Sequence, residues 1–264
     1  MKYYGGCDVG STYTKSVILD ENGKIAASVI MRSKINAEQS ARLAMADCIS
    51  QVSDLTSTDD LSYVVGTGYG RNRVPFADEN ISEISCHAMG VHITEPSVKA
   101  IIDIGGQDIK GIAVDSDGTV KNFAMNDKCA AGTGRFYEAM ARSFEMSLEE
   151  FSKLSLKAKN VIPVTAQCTV FAESEVIALV GEGKAPEEIA AGIQMAVAKR
   201  CFVMAKKAGA VNNITLTGGC AKNDGLKNAI EKTLKIKITP LSVDPQLMGA
   251  LGAAEYARKK AGAR

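Results

Sequence analysis

Short apolar runs and longer segments with helical spacing alternate along the chain. Apolar runs bounded by Gly, Asn and Asp turns are typical of strands, whereas apolar residues that recur with the helical period are typical of helices. The pattern predicts strands over residues 3–9, 14–20, 25–32, 61–65, 98–104, 109–115, 119–125, 214–217 and 237–239. It predicts helices over residues 37–52, 85–93, 134–146, 148–156, 169–181, 186–208, 222–234 and 246–260.

The order of these elements suggests a duplication. Three strands, a helix, a strand and a helix are followed by three more strands and then mainly by helices, so we expect an α/β protein built from two related βββαβα halves. The halves begin at GGCDVGS and DIGGQD. We therefore predict two lobes that face a cleft, over residues 1–96 and 97–264, with the last helix packing back towards the N-terminal lobe.

Composition narrows the class of protein. Apolar residues make up 46% of the chain, and 31 basic side chains are balanced by 30 acidic ones, so a packed core is expected and nucleic acid is not an expected partner. The N-terminus lacks the apolar region of a signal peptide, and no apolar run reaches the ~18 residues that a membrane span requires. We expect a cytoplasmic protein with no membrane partner.

The seven cysteines form neither a disulfide framework nor a zinc motif. Their number is odd, and no CxxC pair occurs. An isolated cysteine is usually a small buried apolar residue. We expect that role for Cys7, Cys48, Cys86, Cys201 and Cys220.

The segment GCDVGSTYTK, residues 6–15, has the composition of a phosphate-binding hairpin. Gly10 allows a tight turn, so that backbone N–H groups of residues 10–12 can surround an anion. Donors are also expected from the side chains of Ser11, Thr12, Thr14 and Lys15. Asp8, at the end of the first strand, is expected to hold Mg²⁺ through water.

Two further glycine turns follow predicted strands. DIGGQD, residues 103–108, repeats the hairpin design, and TGGCAKN, residues 217–223, ends a strand before a helix. The chain contains no G-x-x-x-x-G-K-[ST] motif, so it is not a P-loop enzyme. The order of the three turns resembles the actin, sugar kinase and Hsp70 ATPase superfamily. That resemblance implies a two-lobed actin/hexokinase/Hsp70-like fold with Mg-ATP in the interdomain cleft.

Cys129 and Cys168 differ from the other cysteines because each lies at a predicted helix start, in NDKCAAGTGRF and CTVFAESEV. The partial positive charge of a helix N-terminus favours a thiolate, which is a metal ligand or one half of a redox pair. A cubane iron–sulfur cluster takes about four thiolates, which a two-fold dimer of this chain would supply. The two histidines, His87 and His92, lie in a segment that is typical of an ordinary helix.

The runs TGYGRN, SCHAMG, DIGGQD, NDKCAAGTGRF, CTVFAESEV, TGG and GALGAA resemble those of the ATP-dependent activators of 2-hydroxyacyl-CoA dehydratases. The ATP-binding subunits of benzoyl-CoA reductases are similar. The resemblance implies a homodimer with one [4Fe–4S] cluster that is bridged by Cys129 and Cys168 of both subunits. It implies that reduced ferredoxin or flavodoxin supplies an electron, which ATP hydrolysis drives into a dehydratase or related enzyme of anaerobic metabolism.

The same resemblance assigns roles to individual residues. Asp8 and Asp103 match metal-facing aspartates, and with Gln107 they are the expected catalytic residues. The expected nucleotide contacts are Ser11, Thr12, Tyr13, Thr14, Lys15, Gly105, Gly106, Gly132, Thr133, Gly134, Gly218, Gly219 and Gln246.

Two other functions remain open at this stage. A small-molecule kinase of the sugar kinase type would use the same phosphate turns but would need an aspartate base and no paired cysteines. A nucleotide-gated scaffold would bind ATP without hydrolysing it.

Overall fold

The computed structural model describes residues 1–126, 132–165, 168–210 and 212–262, so Cys129 lies outside the described part of the chain. The described residues form nine strands: β1 Tyr3–Val9, β2 Tyr13–Asp20, β3 Ile25–Arg32, β4 Tyr63–Thr67, β5 Glu79–Asn80, β6 Ala100–Ile104, β7 Ile109–Val114, β8 Val120–Asn126 and β9 Ile214–Thr217. They also form eight α-helices: α1 Ala37–Ile49, α2 Glu83–Thr94, α3 Gly134–Ser143, α4 Leu148–Ser155, α5 Thr169–Gly181, α6 Pro186–Ala208, α7 Asp224–Leu234 and α8 Met248–Gly262.

The chain divides into two compact units. The first unit comprises Met1–Lys99, Val114–Lys121 and Leu241–Arg264. The second unit comprises Ala100–Ala113 and Asn122–Pro240. The lobe boundary between residues 96 and 97 stays a prediction.

The first unit is built on a five-stranded sheet in the order β3-β2-β1-β4-β5. The central strand β1 pairs antiparallel with β2 and parallel with β4, and all of its residues are buried. Helix α1 packs against β1, β2 and β3, while α8 packs against α2, β1 and β4. Because helices cover both faces of β1, a polar side chain at its carboxyl end is shielded from bulk water.

The second unit repeats this arrangement around a four-stranded sheet in the order β8-β7-β6-β9. Its central strand β6 pairs antiparallel with β7 and parallel with β9, as β1 does with β2 and β4. The core joins the sheet to α3, α4, α6 and α7 through buried side chains that include Ile102, Phe136, Phe151 and Ile193. The duplication that the sequence predicts is therefore present at the level of strand pairing.

The predicted strand over residues 237–239 is wrong. The Ile238 N–H donates to the Glu231 carboxylate at 3.0 Å, so it is not available to a neighbouring strand. Only residue 239 pairs with β9, through the Thr239 N–H to the Ile214 carbonyl at 2.9 Å. Conversely, the two-residue strand β5 gave no sequence signal, because it is too short to show a period.

The helices of the described residues are too short or too polar to span a membrane. None of those helices combines the length and the apolar character that crossing a bilayer requires.

Candidate functional site

The β1–β2 hairpin of the first unit holds a buried ion pair. The Lys15 Nζ lies 2.9 Å from Asp8 Oδ2, and their side chains are 13% and 5% exposed. These residues are opposite each other in the antiparallel register, and the Gly10 N–H closes the turn by donating to the Tyr13 carbonyl at 3.1 Å. The hairpin therefore places a carboxylate and an ammonium group side by side at the end of the central strand.

Hydroxyl groups surround the same turn. The Ser33 hydroxyl donates to the Gly10 carbonyl at 2.8 Å and lies 2.9 Å from the Thr14 hydroxyl. The Thr12 Oγ1 is buried and makes no hydrogen bond within the part of the chain that the structure describes. A buried hydroxyl in that state retains a donor for an oxyanion, which fits the phosphate role predicted for this turn. Ser11 and Tyr13 are half-buried beside it.

A glycine from the neighbouring parallel strand makes room for Asp8. Thr67 at the end of β4 pairs with Asp8, and Gly68 follows with a φ of +89°. A Cβ on Gly68 would collide with Asp8 Oδ1. Only glycine satisfies both the left-handed backbone and this close approach.

His87 also approaches Asp8, although the sequence pattern assigned it to an ordinary helix. It lies on α2 and is 6% exposed. Its Nε2 and the Asp8 Oδ2 lie 2.9 Å and 2.8 Å from the position that a Cβ on Gly249 would take. Gln246 lies near the start of α8, is buried, and donates its N–H to Asp244 Oδ1 at 2.9 Å.

The β6–β7 hairpin of the second unit has the same design. Lys110 is opposite Asp103 in the antiparallel register, with 3.1 Å between Nζ and Oδ2. The Gly105 N–H donates to the Asp108 carbonyl at 3.0 Å, as Gly10 does to Tyr13. The Lys110 Nζ also lies 2.8 Å from Asp108 Oδ2, so this ammonium group contacts two carboxylates. Gln107, at the tip of the turn, is exposed.

The turn after β9 completes the parallel with the first unit. Thr217 pairs with Asp103 across the parallel strands and donates its hydroxyl to Asp103 Oδ1 at 2.8 Å. Gly218 follows with a φ of +81°, and a Cβ there would lie 3.0 Å from Asp103 Oδ1. Gly219 is exposed beside it. The segments TGYG, residues 67–70, and TGGC, residues 217–220, thus occupy matching positions in their own units.

Helix α3 begins on the second hairpin. The Gly134 N–H donates to the Gly105 carbonyl at 2.9 Å, and the Arg135 N–H donates to the Gly106 carbonyl at 3.0 Å. Thr133, the N-cap residue, is fully buried, and Gly132 has a φ of +91°. These bonds use N–H groups that a helix cannot satisfy internally, and they attach α3 to the predicted phosphate turn.

A buried polar chain connects α3 to the turn after β9. The Tyr137 hydroxyl donates to Gln194 Oε1 at 2.8 Å, and Gln194 Nε2 donates to Asn223 Oδ1 at 3.2 Å. Burial raises the pKa of Tyr137 well above its usual value, so the phenol stays protonated as a donor. In the second unit, hydrogen bonds therefore link the three predicted segments, which are residues 103–107, 132–134 and 217–223.

Cys168 is the N-cap residue of α5 and is exposed. Its side chain makes no capping hydrogen bond to the first turn of the helix. The segment before it is held by Glu175, whose carboxylate accepts the Thr165 N–H and hydroxyl at 3.0 Å each. A further bond joins α3 to α5, from the Ser143 hydroxyl to Glu173 Oε1 at 3.2 Å.

The other described cysteines are buried, as the sequence predicts. Burial raises the pKa of Cys7, Cys48, Cys86 and Cys220 to about 12, and it raises the pKa of Cys201 as well. Thiols in this state are neither nucleophiles nor ready metal ligands. Among the six cysteines that the structure describes, Cys168 alone is accessible.

The carboxylates fit a role towards Mg²⁺ that is exerted through water. Residues 1–126, 132–165, 168–210 and 212–262 contain no group of three or more His, Cys, Asp or Glu side chains arranged to hold a metal ion. Asp8 and Asp103 offer the oxygen ligands that Mg²⁺ prefers, but both are already bound to lysine. A Mg²⁺ ion that keeps several of its waters and is bound by nucleotide phosphates needs only one or two carboxylates from the protein.

Sequence reasoning missed Lys110, Gly68 and His87 as neighbours of the predicted aspartates. Lys110 had a signal, because D-V-G-S-T-Y-T-K and D-I-G-G-Q-D-I-K share the spacing D-x-G-x-x-x-x-K. Gly68 also had a signal, because TGYG after the strand predicted over residues 61–65 resembles TGGC after the strand over residues 214–217. His87 had no signal of an approach to Asp8, because that approach depends on helix packing.

The fold, with its duplicated hairpins, is the α/β ATPase fold of the actin, sugar kinase and Hsp70 type. Within that class, the chain belongs to the BadF/BadG/BcrA/BcrD ATPase family, whose model matches residues 6–257. The predicted family resemblance is thereby confirmed.

Relatives are similar over almost the whole chain. The activator of lactoyl-CoA dehydratase from Anaerotignum propionicum is 44% identical over 259 residues, with 98% of each chain covered. The crystal structure of (R)-2-hydroxyglutaryl-CoA dehydratase component A from Acidaminococcus fermentans has a TM-score of 0.93 at 41% identity, covering 99% of this chain and 100% of that one. The activator of the 2-hydroxyisocaproyl-CoA dehydratase from Clostridium difficile, solved with bound ADPNP, has a TM-score of 0.91 at 41% identity, covering 99% and 96%.

Proposed function

We propose that this chain is an ATP-hydrolysing, iron–sulfur electron-transfer activator of a 2-hydroxyacyl-CoA dehydratase or a related cluster enzyme. The observation that carries the proposal is Cys168, an exposed thiol at a helix N-terminus in a chain whose other described cysteines are buried. Relatives that are named as dehydratase activators support the choice of partner enzyme.

The nucleotide role rests on the two hairpins. We propose that Lys15, the hydroxyls of residues 11, 12 and 14, and the backbone of residues 105–107 bind the phosphates of Mg-ATP. Asp8 and Asp103 would hold the hydrated Mg²⁺ through its waters, and Gln107 would orient the attacking water. The remaining proposed nucleotide contacts are residues 132–134, residues 218–219 and Gln246. The relative solved with ADPNP supports a nucleotide ligand. Positioning and charge stabilisation are the protein's main contributions to phosphoryl transfer.

The redox role rests on the thiols. Cys168 and Cys129 of each subunit would hold a [4Fe–4S] cluster at the axis of a homodimer, and the cluster would supply a one-electron store. Cys168 is the N-cap residue of α5 and is exposed, so its sulfur is accessible to a cluster. Cys168 begins the same helix that carries Glu175, whose carboxylate accepts the Thr165 N–H and hydroxyl.

The remaining components of the proposal follow from the resemblance to the activators. A cytoplasmic ferredoxin or flavodoxin donates the electron, and ATP hydrolysis accompanies its transfer to the partner enzyme.

The test is made on anaerobically purified full-length protein. We expect brown protein with about four iron atoms per dimer and an ATPase activity. Cys168→Ala and Cys129→Ala should lose the iron and still bind ATP, because neither residue belongs to the hairpins. Cys201→Ala is the matched control: it removes a buried thiol of the same unit and should keep the iron.

Three results would contradict the proposal. They are iron-free native protein, a full cluster in either ligand variant, or iron loss in the control. A sugar-type kinase would be colourless and would transfer phosphate to a hydroxyl substrate, and a nucleotide-gated scaffold would bind ATP without turnover.

A further inference from the structure

The two hairpins differ in one respect that their shared design does not explain. In the first, Lys15 contacts one carboxylate among the described residues, that of Asp8. In the second, Lys110 contacts two, those of Asp103 at 3.1 Å and Asp108 at 2.8 Å. The residue that corresponds to Asp108 in the first hairpin is Tyr13, because both follow the turn glycine by the same spacing and both accept its N–H.

The three charged groups of the second hairpin lie where solvent screening is weak. Lys110 and Asp103 are each 4% exposed and Asp108 is 25% exposed, so water shields these charges only weakly. Without an intervening cation, two carboxylates this close would repel each other strongly. Two carboxylates converging on one point are also the usual protein contribution to a divalent cation site.

The ammonium group therefore lies where a divalent cation would otherwise bind. We propose that Lys110 is a positioning residue that acts as an internal cation between Asp103 and Asp108 and keeps this carboxylate pair from binding free Mg²⁺. The metal then enters only with the nucleotide, whose phosphates already carry it. The value of excluding free Mg²⁺ rests on the proposed ATPase function. The claim that Lys110 excludes the metal concerns the nucleotide-free protein and is tested without nucleotide.

The experiment uses nucleotide-free, full-length protein and Mn²⁺ as the probe. Free Mn²⁺ is titrated by electron paramagnetic resonance, and the melting temperature is followed in parallel by circular dichroism. Lys110→Met should bind a single Mn²⁺ at least about tenfold more tightly than the unmodified protein, because it removes the ammonium group that lies between the two carboxylates. Its melting temperature should rise on addition of Mn²⁺, while that of the unmodified protein should not.

Three variants serve as controls. Lys15→Met is the matched case: it frees only one carboxylate and should gain no Mn²⁺ site. Lys110→Arg keeps a cation between the carboxylates and should exclude Mn²⁺. Asp108→Asn combined with Lys110→Met leaves a single carboxylate, like that of the first hairpin, and should lose the gain.

Unchanged Mn²⁺ binding in Lys110→Met would overturn the inference, as would an equal gain in Lys15→Met. If Lys110→Met does not fold without metal, Lys110→Gln is measured in its place. Mn²⁺ that restores the folding of the variant supports the inference, and Mn²⁺ that leaves its folding unchanged contradicts it. The ATPase activity of the unmodified protein is measured in the same preparations. Its absence would overturn the proposed function and leave the Mn²⁺ result standing.

Discussion

At the residue scale, two glycines leave room for the aspartate carboxylates. Gly68 and Gly218 follow the parallel neighbours of the two central strands, and each has a positive φ. The effect of adding a methyl group at such a position has two parts, the backbone strain and the collision with neighbouring atoms. The same substitution at a second glycine that has a positive φ but no close neighbours measures the backbone strain without the collision.

We predict that Gly68→Ala destabilises the protein more than Gly183→Ala does. Both positions have a positive φ, but a Cβ on Gly68 meets Asp8 and Val9, whereas nothing lies within 4 Å of one on Gly183. The difference in unfolding free energy should be about 1–3 kcal/mol, the usual range for overpacking. It is measured by urea unfolding with circular dichroism, since the chain has no tryptophan.

Gly68→Ala should also weaken ATP binding, because Asp8 must move, and Gly183→Ala should leave it unchanged. Equal destabilisation by the two substitutions would show that backbone strain alone is important at residue 68.

At the element scale, helix α4 has the clearest local start signal in the second unit. The Ser147 hydroxyl accepts the Glu150 N–H at 3.2 Å, while Glu150 Oε2 accepts the Ser147 N–H at 2.8 Å and its hydroxyl at 2.7 Å. This capping box satisfies groups that the helix leaves unpaired, and α4 carries the buried Phe151 into the core. A local sequence signal therefore fixes where a core helix begins.

We predict a pH-dependent cost for Glu150→Gln. Hydrogen bonds from Ser147, the backbone N–H first, hold the pKa of Glu150 below its usual value of 4.5. A lowered folded-state pKa stabilises the folded protein above pH 4.5, and the stabilisation is lost as the pH falls through the lowered value. The gap in stability between Glu150→Gln and the unmodified protein should therefore narrow below pH 4.5.

Urea unfolding at several pH values measures this gap, and a gap that widens towards low pH would refute the assignment. Glu149→Gln is the control, because Glu149 pairs with Lys153 on the helix surface and does not contact the cap.

At the scale of the whole molecule, the exposed apolar side chains of α5 are prominent. Val170, Phe171, Ile177 and Val180 are 48–69% exposed on the helix that Cys168 begins. For the proposed homodimer we expect the cluster, as well as this apolar face, to hold the subunits together, because each subunit would supply only part of the ligand set.

We predict that removing the iron dissociates the dimer. Anaerobic protein should have the mass of two 27.9 kDa chains in size-exclusion chromatography with light scattering, and chelation should yield the mass of one. Cys168→Ala should be monomeric without chelation, whereas Cys201→Ala should remain dimeric. A stable dimer after complete iron removal would show that protein contacts are sufficient.

Local patterns predicted a large part of this protein correctly. Period and turn residues located the two hairpins and all but one of the predicted strands, because these signals arise from neighbouring residues. The strand predicted over residues 237–239 failed because Glu231, on the preceding helix, binds the Ile238 N–H. A side chain on another element competes for a backbone group, and no local pattern records that competition.

By itself, the sequence determined the repeated D-x-G hairpins, the family and the two unusual cysteines, since spacing and residue type carry that information. Tertiary structure alone decided that Lys110 bridges two carboxylates, that Gly68 and His87 lie near Asp8, and that Cys168 is exposed while five other cysteines are buried. These facts depend on strand register and helix packing between residues far apart in the chain. These contacts form because elements distant in the chain pack together and exclude water from between them. That packing exists only in the folded molecule.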